Sequence, residues 1–272
     1  MNKTKKAKRV IPGFCLSMGV TVSILSIIVL IPLASLVIYT AQMSWSDFID
    51  TVTSERVMAS YQVSLITAFI ASAINAVMGV ILAWVLVRYK FPGKRILDGM
   101  IELPFALPTA VAGIALTSLT ADTGYIGISI AYTRVGITFA LVFIGIPFVV
   151  RAVQPVLEKL DPVYEEAAGV MGTSRIKIFW KIIFPEILPS ILTGFGLAFG
   201  RCLGEYGSVI FIAGNKPFET EITPLIIMSK LQEFDYKSAT AIALVMLAAS
   251  FLILFVVNLI QARNSKILKG GR

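Results

Sequence analysis

The chain has 272 residues, of which 57% are hydrophobic and 15% charged, with a formal net charge of +8. Soluble domains carry about 25% charged residues, so this composition excludes a chain dissolved whole in water. It contains no histidine, and its two cysteines, Cys15 and Cys202, lie singly in apolar runs. Histidine acid–base chemistry and histidine or clustered-cysteine metal sites are therefore excluded as well. No catalytic or metal-ligating set is expected.

The basic N-terminal tail, 1–13, precedes a first apolar run at Phe14–Thr40. That run is about twice the length of a signal-peptide core and reads as a retained membrane span. A span needs about 20 apolar residues, and five further runs qualify. The second is expected within 59–87. The third, near 101–119, carries Pro104 and Pro108, which predict a broken or kinked helix. Broken helices are tolerated in a membrane where protein or water satisfies the freed carbonyls. Pro104 and Pro108 thus suggest either a cavity-lining helix or a plain structural kink.

The fourth span is expected at 135–153 and the fifth at 189–213. Gly196, Gly200, Gly204 and Ser208 recur every four residues along the fifth and read as a packing stripe. Arg201 and Glu205 sit in the same run at helical i,i+4 spacing, so their side chains can meet. With the helix starting near Pro189, Arg201 falls about 18 Å along it, near the bilayer centre. There the pair is either a closed structural lock or a source of positive potential along an anion pathway. Exchanging the two charges would separate these readings. Beyond it, Thr223-Pro224 predicts a cap and first turn of a short helix over 224–234, either packed on the bundle or exposed to a partner. The sixth span is expected at 238–260, followed by a basic tail, 261–272.

Basic residues set the orientation. The N-terminal tail, the loop with Arg88, Lys90, Lys94 and Arg95, the segment from Arg151 to Lys181, and the C-terminal tail hold most of them. The opposite loops hold only Arg56, Arg134, Lys216, Lys230 and Lys237. The positive-inside rule then places both termini in the cytoplasm. It also disposes of nucleic-acid binding, because the cations are topology signals spread over separate loops. The expected fold is all-α and polytopic, with six transmembrane helices. Its core spans 59–260, and it has no soluble domain.

The longest cytoplasmic connection reads LDPVYEEAAGVMGTSRIKIFWKIIFPEILPS. Asp161 and Pro162 fit a helix start. Glu165 and Glu166 suit the first turn, and Ala167 and Ala168 are small enough for close approach. Gly172 fits the helix end. A second amphipathic piece follows, with Ile176, Phe179 and Ile183 apolar. On physics alone this is either an interfacial helix pair or a docking element.

Glu166-Ala167-Ala168, three residues, Gly172, nine residues, Ile182, one residue, then Phe184-Pro185 resembles the EAA loop of binding-protein-dependent ABC importer permeases. That family has Leu where this chain has Phe184. The resemblance implies the type I, MetI-like permease fold. It also implies that Glu165, Glu166, Ala167, Ala168, Gly172, Ile182 and Pro185 couple to an ATPase. No G-x-x-x-x-G-K-[ST] phosphate loop occurs here. The chain is therefore expected to bind no cofactor and to be no enzyme, with ATP used by a partner ATPase dimer.

ELPFALPTAVAG (102–113), AYTRVGITFALVFIGIPFVVRAVQPVLE (131–158) and GEYGSVIFIAGN (204–215) resemble sulfate/thiosulfate permeases of the T type. Molybdate/tungstate permeases are close relatives that tend to have Phe after the Gly-Glu pair. The resemblance covers about 61–260. It implies a second permease subunit, an extracytoplasmic sulfate-binding protein and a multi-pass place in the inner membrane of a prokaryote. An ion-coupled secondary transporter would call for intramembrane acidic relays and inverted repeats. Only Glu102, Arg201 and Glu205 read as deep charges, and no repeat is apparent.

Overall fold

The computed structural model describes residues 14–122, 124 and 129–270. The N-terminal tail at 1–13 lies outside them. No β-strand forms among the described residues, which fold into helices α1 (Phe14–Thr40), α2 (Trp45–Val52), α3 (Glu55–Arg88), α4 (Lys94–Ile101), α5 (Leu103–Ala106), α6 (Thr109–Thr120), α7 (Arg134–Lys159), α8 (Val163–Val170), α9 (Arg175–Ile178), α10 (Phe184–Leu203), α11 (Val209–Ile212), α12 (Thr223–Gln232) and α13 (Tyr236–Gly270).

Among the described residues, five continuous helical stretches are long and apolar enough to cross a membrane: α1, α3, α7, the run Arg175–Leu203 and α13. The expected count of six holds only if the third span is taken as broken. Pro108 forces Leu107 into an extended conformation (φ −87°, ψ 136°), and Pro104 sits in the first turn of α5. The run therefore divides into α4, α5 and α6. At 12 residues, α6 rises only about 18 Å, short of the roughly 30 Å hydrocarbon core.

The fifth span also differs from expectation. Pro185 cannot donate a backbone hydrogen bond, and the chain accommodates it with a π turn over Phe179–Ile183, whose last bond runs from Phe184 N–H to Phe179 O. The helix then ends at Leu203 rather than 213. The Glu205 carboxylate accepts the Ser208 N–H (2.9 Å) and hydroxyl (3.0 Å), a side-chain cap that competes with continued helix. The expected glycine stripe is thereby cut. Gly196 and Gly200 lie at ordinary contact distance from Leu254 on α13, while Ser208 lies beyond the helix. α10 crosses α7 closely at Gly194 instead, where a Cβ would come within 2.8 Å of Val149 Cα.

The centre of the bundle is α3, α7 and α10 packed on one another. Toward the α12 end the core contains Val57, Tyr61, Ile137, Leu141, Phe199, Leu225 and Ile242. Toward the α8 end it contains Leu86, Val149, Val153, Leu157, Ala168, Ile178 and Ile187. α1 packs on α13 and leaves most of its apolar side chains exposed, as a helix facing lipid would.

Candidate functional site

The α7–α10 connection is anchored to the core through Ala168 and Ile178 rather than lying loosely on the bundle. Asp161 Oδ1 accepts the Val163 N–H (3.0 Å), which starts α8 one residue later than Pro162. The helix ends where Gly172 adopts a left-handed φ of +78°. Gly172 N–H donates to Gly169 O (2.9 Å) and Thr173 N–H to Ala168 O (3.1 Å). These two bonds form a Schellman motif, which satisfies the last helical carbonyls. Ala168 is buried in the core cluster with Ile178 and Leu157, while Glu166 and Ala167 are exposed.

Glu165 is turned inward to form an ion pair with Arg88, at the end of α3, whose guanidinium also lies 5.6 Å from the Trp84 ring centre. Ile182 and Pro185 are half-buried and line a cavity with Lys159, Tyr164, Lys181 and Glu186. Around it Val163, Tyr164, Val170, Met171 and Ile176 stand exposed. The structure thus gathers the seven motif residues at one end of the bundle and divides them between an anchored side and a free side.

The second group lies at the other end. Arg201 Nη1 is 2.5 Å from Glu205 Oε2; Glu205 is 2% exposed and the Arg201 side chain 35%. Arg201 occupies the last turn of α10, about 26 Å from the start of that helix at 1.5 Å per residue. It therefore sits toward the α12 end rather than at mid-helix. The next residue packs partway along α7: Cys202 Sγ reaches Leu141 O, and a Cβ at Gly145 would come within 3.3 Å of that sulfur. Pro108 comes near this group, because the adjacent Thr109 packs on Gly207. Pro104 does not: it is buried at the start of α5, where Phe105 meets Phe148 of α7 edge-to-face with ring centres 5.1 Å apart. Glu102 is no deep lone charge either. It is exposed and pairs with Arg151 Nη2 (2.7 Å), which also holds Asp98 through Nη1 (2.8 Å).

Two arginines that read only as topology signals prove to be straps. Arg56 Nε and Nη2 grip the Glu221 carboxylate at 2.7 and 2.6 Å, and Glu221 is 1% exposed. Arg134 donates to the Glu219 carbonyl (2.7 Å) and the Phe218 carbonyl (3.2 Å). Together they hold the loop before α12 against α3 and α7. Ser64 Oγ accepts the Thr223 N–H at 2.8 Å, which fixes the start of α12, while Leu225 and Ile226 bury one of its faces. The expected short helix is present, and packing on the bundle accounts for that face. No local pattern could have paired residues 165 apart.

Arg56→Gln should destabilise the protein by on the order of 2 kcal/mol. That is less than for a fully buried pair because Arg56 is half exposed, yet Glu221 would be left buried without its cation. Thermal unfolding in detergent checks this. An unchanged midpoint would show that the strap carries no net stability.

Membrane-length helices around a tight three-helix core, with an anchored amphipathic loop at one end, define a polytopic membrane component whose free surface suits a partner. Residues 75–268 match the family model of the binding-protein-dependent transport system inner membrane component, and the chain belongs to that family. It is 50% identical over 264 residues to the sulfate transport system permease protein CysT of Salmonella typhimurium (strain LT2), covering 94% of this chain and 95% of the relative.

The fold is that of solved ABC importers. A crystal structure of a bacterial ABC transporter involved in the import of the acidic polysaccharide alginate superposes with a TM-score of 0.77 at 18% identity. It covers 92% of this chain and 95% of that one. The bacterial alginate ABC transporter in complex with alginate pentasaccharide-bound periplasmic protein gives a TM-score of 0.75 at the same identity and coverage.

Proposed function

We propose that this chain is the permease subunit of an ATP-driven importer of sulfate or thiosulfate. The observation that carries the reading is the 50% identity to a sulfate permease over nearly the full length of both chains. The chain performs no bond-making step. Its helices supply the path, and separate subunits supply the rest: an ATPase pair, a second permease subunit and an extracytoplasmic binding protein. Both termini face the cytoplasm, as the basic loops require.

The exposed side of α8, with Glu166, Ala167 and the apolar residues around it, seats on the ATPase. Its anchored side, through Ala168 and the Glu165–Arg88 pair, transmits that motion into α3, α7 and α10. Coupling needs such an element, biased from both ends. The strapped α12 end receives the delivered anion, and Arg201 contributes positive potential there. ATP is bound by the partner ATPase, and this chain itself holds no cofactor.

Uptake of labelled sulfate by the whole transporter in reconstituted vesicles tests the assignment. Unlabelled sulfate and thiosulfate are expected to compete strongly and molybdate weakly. Strong competition by molybdate with little by thiosulfate would move the chain to the molybdate class.

A further inference from the structure

At the α8 end, α3, α4 and the π turn border an open cleft of about 710 Å³ that the coupling scheme does not use. Its walls are Val80, Trp84, Tyr89, Phe91 and Phe179, with Lys90 as the one charged residue in the lining. Aromatic side chains at this level are typical of a membrane–water interface.

The position of Lys90 follows from the turn beside it. Phe91-Pro92-Gly93-Lys94 closes with Lys94 N–H on Phe91 O (3.4 Å), and Gly93 has φ +84° and ψ 0°. These are the values of the third residue of a type II turn, with proline second. The turn directs the chain back into α4 and leaves Lys90 at the cleft, with Lys94 and Arg95 following on α4. Arg88 is taken by Glu165, and Arg151 by Asp98 and Glu102. Among the described residues, no carboxylate lies within ion-pair distance of Lys90, Lys94 or Arg95.

We propose that this cleft binds one anionic phospholipid, with its phosphate at Lys90 and an acyl chain along Val80 and Trp84. An apolar trough ending in uncompensated positive charge matches both parts of such a molecule, and basic pockets between helices on the cytoplasmic side hold acidic headgroups in this way. A free inorganic anion would leave the trough unfilled. A zwitterionic lipid would bring its own cation to a site already positive. The occupied cleft would touch Trp84, whose ring also faces Arg88, and Phe179, the first residue of the π turn. The lipid therefore sits against the anchored side of the coupling segment.

Bromine-labelled lipids, which quench tryptophan on contact, give the test. The whole transporter is reconstituted in phosphatidylcholine doped with either brominated phosphatidylglycerol or brominated phosphatidylcholine. Subtracting the Trp84→Phe protein isolates the Trp84 signal. Phosphatidylglycerol is expected to quench Trp84 at about one-fifth the mole fraction that phosphatidylcholine needs, and Lys90→Gln should remove about fivefold of preference, the worth of one lysine near a charged surface. Equal quenching by the two lipids would reduce the cleft to ordinary boundary contact. Quenching by neither would show that another protein surface covers it. A preference that survives Lys90→Gln would overturn the headgroup assignment.

Discussion

Gly172→Val is expected to reduce sulfate import at least tenfold while the helices remain inserted and the bundle remains folded. A Cβ at Gly172 would meet nothing within 4 Å, so crowding is not the cause. The cost is in the backbone, because φ +78° is a conformation that a β-branched residue strongly disfavours, by on the order of 1–3 kcal/mol. Relief comes by unwinding the turn, which breaks the bonds from Gly172 N–H and Thr173 N–H to the end of α8. Ala168 and Glu165 then lose their fixed places, and the ATPase contact proposed for the exposed side loses its backing.

Two controls separate this from a general defect. Gly172→Asn should keep most transport, since asparagine tolerates the left-handed region. Gly169→Ala should leave the fold of the chain unchanged or slightly stabilised, because that position also has open space, lies within the helix and has no positive φ. Uptake, together with co-purification of the ATPase, is the measurement. Normal import by the valine variant would remove Gly172 from the coupling element.

The long helices were legible because each apolar run is bounded by charge or turn residues. α1 ends where the run does, and α7 starts at Arg134. The break of the third span was legible too, since proline acts locally on its own φ and on the residue before it. The end of the fifth span was not. Val209–Ile212 continue the apolar pattern, and what stops the helix is where Glu205 sends its carboxylate. That choice depends on burial and on Ser208, which periodicity does not encode.

The same limit hid the division of labour within the coupling segment. Glu165 and Glu166 look alike in sequence, yet one is turned to Arg88 and the other to the surface. Arg56, Arg88 and Arg134 each read as a topology signal, and each is also a structural tie. A cation can serve both roles, because the charge count that orients a loop is indifferent to where each guanidinium points.

The double variant Arg201→Gln/Glu205→Gln is expected to assemble normally and yet move sulfate at least tenfold more slowly. Exchanging the two charges would not make a clean test, because the Glu205 position faces two donors, the Ser208 N–H and hydroxyl. A guanidinium there can only donate, so the exchanged protein would fail for a local reason under either role. Glutamine avoids this. At 205 its carbonyl oxygen can accept both Ser208 donors, and its amide can donate to a glutamine at 201. The network stays satisfied without charge, and replacing a buried ion pair by a neutral, satisfied arrangement is often close to neutral for stability.

Arg201→Gln alone should be worse for folding, because it leaves Glu205, 2% exposed, charged and without its cation. Comparing the single and double variants therefore separates stability from transport. In the double variant the remaining change is the loss of a cation whose side chain is 35% exposed, enough to act on a passing dianion. A tenfold loss corresponds to only about 1.4 kcal/mol, a modest demand on one charge in a partly desolvated site. Glu205→Gln alone frees Arg201 from its counter-ion. It should hold the anion more tightly and slow its release, since a conducting site must attract weakly enough to let go. If the double variant takes up sulfate like the parent protein, Arg201 and Glu205 are a lock on the end of α10 and the path runs elsewhere.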